Sequence, residues 1–283
     1  MPERALVLGG GGITGIAWEL GMLAGLAEQG VDLRDADLVV GTSAGSVVGA
    51  LITSSDDLEE LYASQLLPPA LEPPVRMGIG TMVRWGWAVA RSRGSQQVGV
   101  RVGRMALATA TVPEAERREV IASRLQARTW PAQTLLVTAV DAESGEFAAF
   151  GQGSQVGNTP VSLVDAVAAS CSVPGVWPPT TIGGRRWIDG GVRSATNADL
   201  AAGYERVVVL APITRAFGPA MGAAAHVAAL RKQARATLVI PDADARRAIG
   251  RNLLDLARRA PAAQAGRAQA TSAIVDVAKV WSG

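Results

Sequence analysis

Two short apolar runs, each closed by glycine and followed by a small-residue helical pattern, constrain this chain more than anything else in it. Residues 5–8 run into Gly9-Gly10-Gly11-Gly12, after which Ile16, Leu20, Leu23 and Leu26 recur at helical spacing across 13–29. Residues 38–40 end at Gly41 and lead into a second small-residue helix over 45–53. A buried strand that turns sharply through glycine into a helix, twice in succession, predicts a mostly parallel sheet with helices on both faces. The fold class expected is therefore α/β, a three-layer α/β/α sandwich.

The rest of the chain continues the alternation. Ser55 is the expected N-cap of an acid-started helix, with Asp56, Asp57, Glu59 and Glu60 suiting its positive end, and Pro68, Pro69, Pro73 and Pro74 stop it. Residues 77–107 mix Trp, Met and Val with Gly and Arg and are expected to be helical in pieces. Pro113 opens a charged helix over 114–128. Strands at 135–140 and 146–150 flank Glu143-Ser144-Gly145 as a hairpin, a small-residue helix covers 160–170, and strands are expected at 180–188, 206–211 and 237–240. Neither a repeat nor a linker interrupts the chain. One domain over 1–283 is expected, with helices filling a C-terminal extension at about 216–283.

Hydrophobic residues make up 48% and charged residues 18%, enough apolar material for a core. The net charge of +2 is spread without a basic stripe, which argues against nucleic acid as a partner. Arginines among apolar residues over 76–104 keep peripheral contact with an anionic membrane in view. The single Cys171 excludes an internal disulfide framework and a CxxC metal site, and reads as a buried small hydrophobe. The start lacks a secretory signal, and no run reaches the ~20 apolar residues that span a bilayer. The expected location is cytoplasmic, with membrane-peripheral association open.

Chemistry concentrates at the glycine turns. Gly41-Thr42-Ser43-Ala44-Gly45 sets a serine between glycines, after a strand and before a helix, the context of a nucleophile elbow. Gly9 to Gly15 lies at a second such junction, where backbone N–H groups converge on an anion. Gly10, Gly12 and Gly15 fit GxGxxG, but the acidic residue expected after the next strand is missing and no Walker lysine follows. Two readings remain: an oxyanion hole, built from the glycines and the N–H of Ala44, or a tight turn for helix packing. A serine hydroxyl needs a base. The one histidine, His226, lies on an expected helix rather than in a loop after a strand. Asp189, at the end of a strand and followed by Gly190 and Gly191, is the better candidate, provided that burial raises its pKa.

Together these motifs resemble the patatin-like phospholipases, lipid acyl hydrolases with a Ser-Asp dyad. The resemblance runs from Leu6 to about Ala211 and includes Ala169-Ser170-Cys171-Ser172-Val173-Pro174-Gly175-Val176-Trp177-Pro178-Pro179, similar to the proline-rich stretch before the family's aspartate. It implies Ser43 as nucleophile, Asp189 as the base for serine and then water, and Gly10, Gly11 and Gly12 as oxyanion donors, with no metal or organic cofactor. The implied substrate is a fatty-acyl ester of a phospholipid, lysophospholipid or neutral lipid. Acyl transfer to another acceptor, and non-catalytic lipid binding on the same fold, are the alternatives. This chain departs from the family at Thr14, where Arg or Lys is common, and at Gly9, where Asp is frequent. The resemblance also implies a motif-bearing core at about 4–211 and a variable cap at about 68–110, in which Met77, Ile79, Met82, Val83, Trp85 and Trp87 line an acyl pocket, rest at a lipid interface or simply pack.

Overall fold

The structure, a computed structural model, describes residues 3–55, 57–68, 79–214 and 221–282. The first apolar run is β1 (Arg4–Leu8), which passes through glycine into α1 (Gly12–Glu28); the second is β2 (Leu38–Gly41), which enters α2 (Ala44–Ile52). Then come α3 (Leu58–Leu66), α4 (Ile79–Ala90), α5 (Ser95–Leu107) and α6 (Glu114–Arg124). A hairpin of β3 (Thr134–Asp141) and β4 (Phe147–Phe150) is followed by the short pair β5 (Gln155–Val156) and β6 (Thr159–Pro160), then by α7 (Leu163–Ser170). A second hairpin, β7 (Thr180–Ile182) and β8 (Arg185–Asp189), returns to the sheet. The chain then forms β9 (Arg206–Leu210), α8 (Ala223–Leu230), β10 (Arg235–Val239), α9 (Ala243–Ile249) and α10 (Arg259–Trp281).

The sheet runs β10-β9-β1-β2-β3-β8-β7, parallel from β10 to β3 and antiparallel beyond, with β4 also paired to β3. Alternate strand residues serve opposite faces. Leu6, Leu8, Val39, Val208 and Leu210 join the cluster that contains α1, α2 and α10, while Ala5, Val7, Leu38, Val40, Val207 and Val209 join the one that contains α8. Burial on both faces explains why these strands read as unbroken apolar runs.

The register of β3 creates the site. Val137 pairs with both Gly41 of β2 and Phe150 of β4, so those strands lie on opposite edges of β3; Ala139 pairs with both Ala148 of β4 and Asp189 of β8, so β8 lies on the β2 edge. One edge of β3 therefore carries β2 up to Gly41 and, two residues further on, the end of β8. The turn after β2 and the last residue of β8 meet there.

Several boundaries moved for local reasons. The cap of α3 is Asp57, whose carboxylate accepts from Glu60 N at 2.8 Å, while Ser55 Oγ accepts from Asp57 N at 3.2 Å and, among the described residues, reaches no N–H of the helix. The helix expected over 114–128 ends at Arg124, because Leu125 turns extended and is buried in the core. The helix expected from 160 begins at Leu163 under the Ser162 cap, and Pro160 pairs in β6 instead. The expected strand 180–188 is a hairpin, broken at Gly183-Gly184. Residues 77–107 resolve into α4 and α5, with Met77, Pro69, Pro73 and Pro74 outside the described residues. Among the described residues, no helix is long and apolar enough to cross a membrane.

Candidate active site

Ser43 has φ 53° and ψ −113°, and among the described non-glycine residues only Asn197 also has a positive φ. Such a conformation costs about 1–3 kcal/mol and needs support. Part of the support is close packing: a Cβ on Gly45 would lie 2.1 Å from the Leu8 carbonyl oxygen, so only glycine lets α2 start this near β1. The rest is hydrogen bonding. Ser43 N donates to Ser170 Oγ (2.9 Å), while the Ser43 carbonyl accepts from Ser46 Oγ (2.6 Å) and Cys171 Sγ (3.4 Å). Burial, and then the charge of Asp189, push the Cys171 thiol up to about 11, so it remains a protonated donor. Cys171 is thus buried as the sequence reading had it, and also holds the turn.

Asp189 reaches the same place from β8. Its Oδ1 accepts from Gly191 N at 2.7 Å, and the Ser43 side chain hydrogen-bonds to its carboxyl group. Burial raises the pKa to about 6 against the lowering effect of these two bonds. The Asp189 backbone N–H donates to the Ser172 carbonyl at 3.1 Å. The end of α7 and the residues just after it therefore grip both partners, Ser43 through Ser170 and Asp189 through Ser172.

The glycine loop lies alongside. Gly9 N donates to Leu210 O (3.0 Å), Thr14 N to Leu253 O (3.1 Å) and Gly15 N to Gly11 O (2.9 Å). Gly10 N donates to Ala195 O at 2.8 Å, so its N–H is already committed, which removes it from the expected set of oxyanion donors. The N–H groups of Gly11, Gly12 and Ala44 have no acceptor among the described residues. Gly12 has φ +61°, and a Cβ there would lie 2.6 Å from the Leu253 carbonyl oxygen. Two helix N-termini, those of α1 and α2, start at this loop and turn, neither with a side-chain cap.

Asn197 is the residue that sequence reasoning missed. It is fully buried, and its Nδ2 lies within hydrogen-bond range of Thr42 Oγ1 (3.0 Å), Thr138 Oγ1 (3.2 Å), Gly190 O (3.3 Å) and Ser194 O (2.9 Å). It thereby ties the residue before Ser43 to the residue after Asp189. Its positive φ would have been a clue, but φ cannot be read from sequence. His226 is elsewhere: it is buried on α8 with Nε2 4.0 Å from Asp199 Oδ1, and burial lowers its pKa.

Ser43 and Asp189 open into a hollow of about 550 Å³ whose walls are chiefly apolar, among them Trp85, Val89, Val173, Ile213 and Leu254. A somewhat larger hollow, about 610 Å³ and bordered by Phe147, Arg185 and Arg193, contains neither residue. The family model for patatin-like phospholipases matches residues 6–202, which span the serine turn, the glycine loop and the aspartate. The chain belongs to the patatin-like phospholipase family. Members of this family are generally lipid acyl hydrolases. Among solved structures, the chain is similar to VipD from Legionella pneumophila, at 12% identity over 97% of this chain and 67% of that one, with a TM-score of 0.47. It is also similar to the type III effector ExoU, at 17% identity over 96% of this chain and 53% of that one, with a TM-score of 0.39.

In this patatin-like chain the cap residues divide between two faces of α4. Trp85 faces the hollow and donates from Nε1 to Pro174 O at 3.1 Å, whereas Val83 and Trp87 are more than half exposed. Met77 lies outside the described residues.

Proposed function

We propose that the protein hydrolyses fatty-acyl esters through an acyl-enzyme on Ser43, with Asp189 as the base. The observation that carries this is the Ser43 hydroxyl bonded to a buried carboxyl, inside an apolar hollow and beside N–H groups that have no acceptor. Ser43 Oγ attacks the ester carbonyl carbon as its proton passes to Asp189, and the carbonyl π pair moves onto oxygen. That oxyanion is met by the N–H groups of Gly11, Gly12 and Ala44 and by two helix N-termini, donors fixed before the charge develops. Collapse expels the alcohol, which takes the proton from Asp189. Water then gives a proton to Asp189 and its oxygen to the acyl carbon; the second collapse returns Ser43, which recovers the proton, and releases the fatty acid.

A carboxyl with a pKa of about 6 is a better base than an ordinary aspartate and is still ionised at pH 7. The apolar walls suit an acyl chain, and the outward Val83 and Trp87 give α4 a surface that can rest at the edge of a lipid aggregate.

The test is turnover of a p-nitrophenyl acyl ester together with labelling by a fluorophosphonate. Ser43→Ala should abolish both. Asp189→Asn should lower kcat by roughly 10³-fold or more, and the rate of the parent protein should drop about tenfold per pH unit below about 6. Normal turnover in the asparagine variant would sink the dyad. Stability should move the other way. The folded carboxyl titrates above its ordinary value of 3.8, so its contribution is fully present below that value and is lost as pH rises through about 6. Asp189→Asn should therefore stabilise the protein at pH 7 by as much as roughly 3 kcal/mol, read by chemical denaturation.

A further inference from the structure

Beyond the residues matched by the family, the segment 250–258 folds back over the glycine loop, and Arg251, Asn252, Leu253 and Leu254 border the hollow that contains Ser43. The segment is fixed at several points. The Leu253 carbonyl accepts from Thr14 N (3.1 Å) and from Thr14 Oγ1 (3.4 Å), and Leu254 N donates to Asn252 Oδ1 (3.2 Å). Asp255 Oδ1 accepts from Ala257 N, and at the start of α10 Arg259 donates to the carbonyls of Ser64, Gln65 and Leu67 at the end of α3. Thr14 is wholly buried beneath this segment and does not border the hollow.

Among the described residues that border the hollow, Arg251 is the cationic one and Asp189 the anionic one. It is exposed and makes neither an ion pair nor a hydrogen bond among the described residues, unlike Arg118, Arg185, Arg193 and Arg267, each of which meets a carboxylate. An acyl ester with a negative charge on its alcohol part would be repelled by Asp189. A guanidinium on the same rim answers that charge, and its planar fork of donors matches a phosphate.

We propose that Arg251 is a specificity-determining residue that favours acyl esters carrying a phosphate on the alcohol side of the scissile bond over uncharged esters of the same acyl chain. The proposal rests on the acyl-hydrolase reading of Ser43 and Asp189, and its test separates the two. The full chain is given a matched pair, a 1-acylglycerol 3-phosphate and the 1-acylglycerol of the same chain length, both below their aggregation concentrations. A p-nitrophenyl acyl ester and a fluorophosphonate are run alongside.

The ratio of kcat/KM for the phosphate ester to that for the neutral ester should fall about tenfold in Arg251→Ala, chiefly through KM, and further in Arg251→Glu. Arg251→Lys should keep most of it, and added glycerol 3-phosphate should inhibit the parent protein more than Arg251→Ala. Arg251 is a surface side chain, so melting temperatures should stay close to the parent's. An unchanged ratio in both the Ala and Glu variants, with p-nitrophenyl turnover intact, overturns the role of Arg251 and leaves the hydrolase reading standing. Loss of labelling and turnover in the parent protein overturns the hydrolase reading, and this proposal with it.

Discussion

At the 41–45 turn the unusual backbone falls on the serine, which has a hydroxyl to present, whereas at the 9–15 loop it falls on a glycine. Ser43 at φ 53° aims a hydroxyl at Asp189; Gly12 at φ +61° aims only backbone. The two junctions read alike in sequence, each a strand, glycines and a helix, and they lie side by side. Their supports differ. The serine turn is held by side chains from α2, the end of α7 and the loop after it, through Ser46, Ser170 and Cys171. The glycine loop is held by main-chain carbonyls, those of Ala195, Leu210 and Leu253. A nucleophile needs its one atom placed, while an oxyanion site needs several N–H groups left over after the loop has been tied down. Backbone ties accomplish the second by engaging neighbouring N–H groups and sparing those of Gly11 and Gly12.

If the glycine loop works through its backbone, a new Cβ at Gly12 should disable it. Gly12→Ala would force alanine into a left-handed backbone and against the Leu253 carbonyl, and kcat for a p-nitrophenyl ester should fall by about 10²–10³-fold, the scale of a lost oxyanion donor. A near-parental kcat would mean that Gly12 belongs to packing alone. Ser170→Ala comes next. It leaves Ser43 N without its acceptor in a buried setting, so stability should drop by about 1–3 kcal/mol and kcat by roughly tenfold, measured by denaturation and steady-state kinetics. Thr14→Val should do least, since it removes only the 3.4 Å contact of Oγ1 and keeps the N–H bond to Leu253. A change of no more than about threefold in kcat/KM is expected; a larger loss would move the main support of the loop from backbone to side chain.

Much of this was legible beforehand where chemistry and local structure coincide. The serine turn, the aspartate before two glycines and the helix start at Gly12 follow from patterns of fewer than about ten residues. His226 was set aside from its helical context alone, and it lies on α8 away from the hollow. Which N–H groups of the glycine tract stay free was less legible. Gly10 sits in the same glycine tract as Gly11 and Gly12, and nothing in the tract reveals that Ala195, distant in sequence, takes its N–H. Asn197 carried no signal either, because its role is to join Thr42 and Gly190, just past the ends of two strands, to Thr138 within a third.

By itself, then, the sequence determined the alternation of strand and helix and the residues with chemistry to offer, since apolar periodicity and glycine turns act over short distances. Tertiary structure decided which of them meet. The β2 edge of β3 brings Asp189 to Ser43, and the fold-back of 250–258 places Leu253 on the glycine loop and Arg251 on the rim. Those contacts join residues more than a hundred positions apart, where the pairing of strands and the packing of buried surfaces, not local preference, sets who is neighbour to whom.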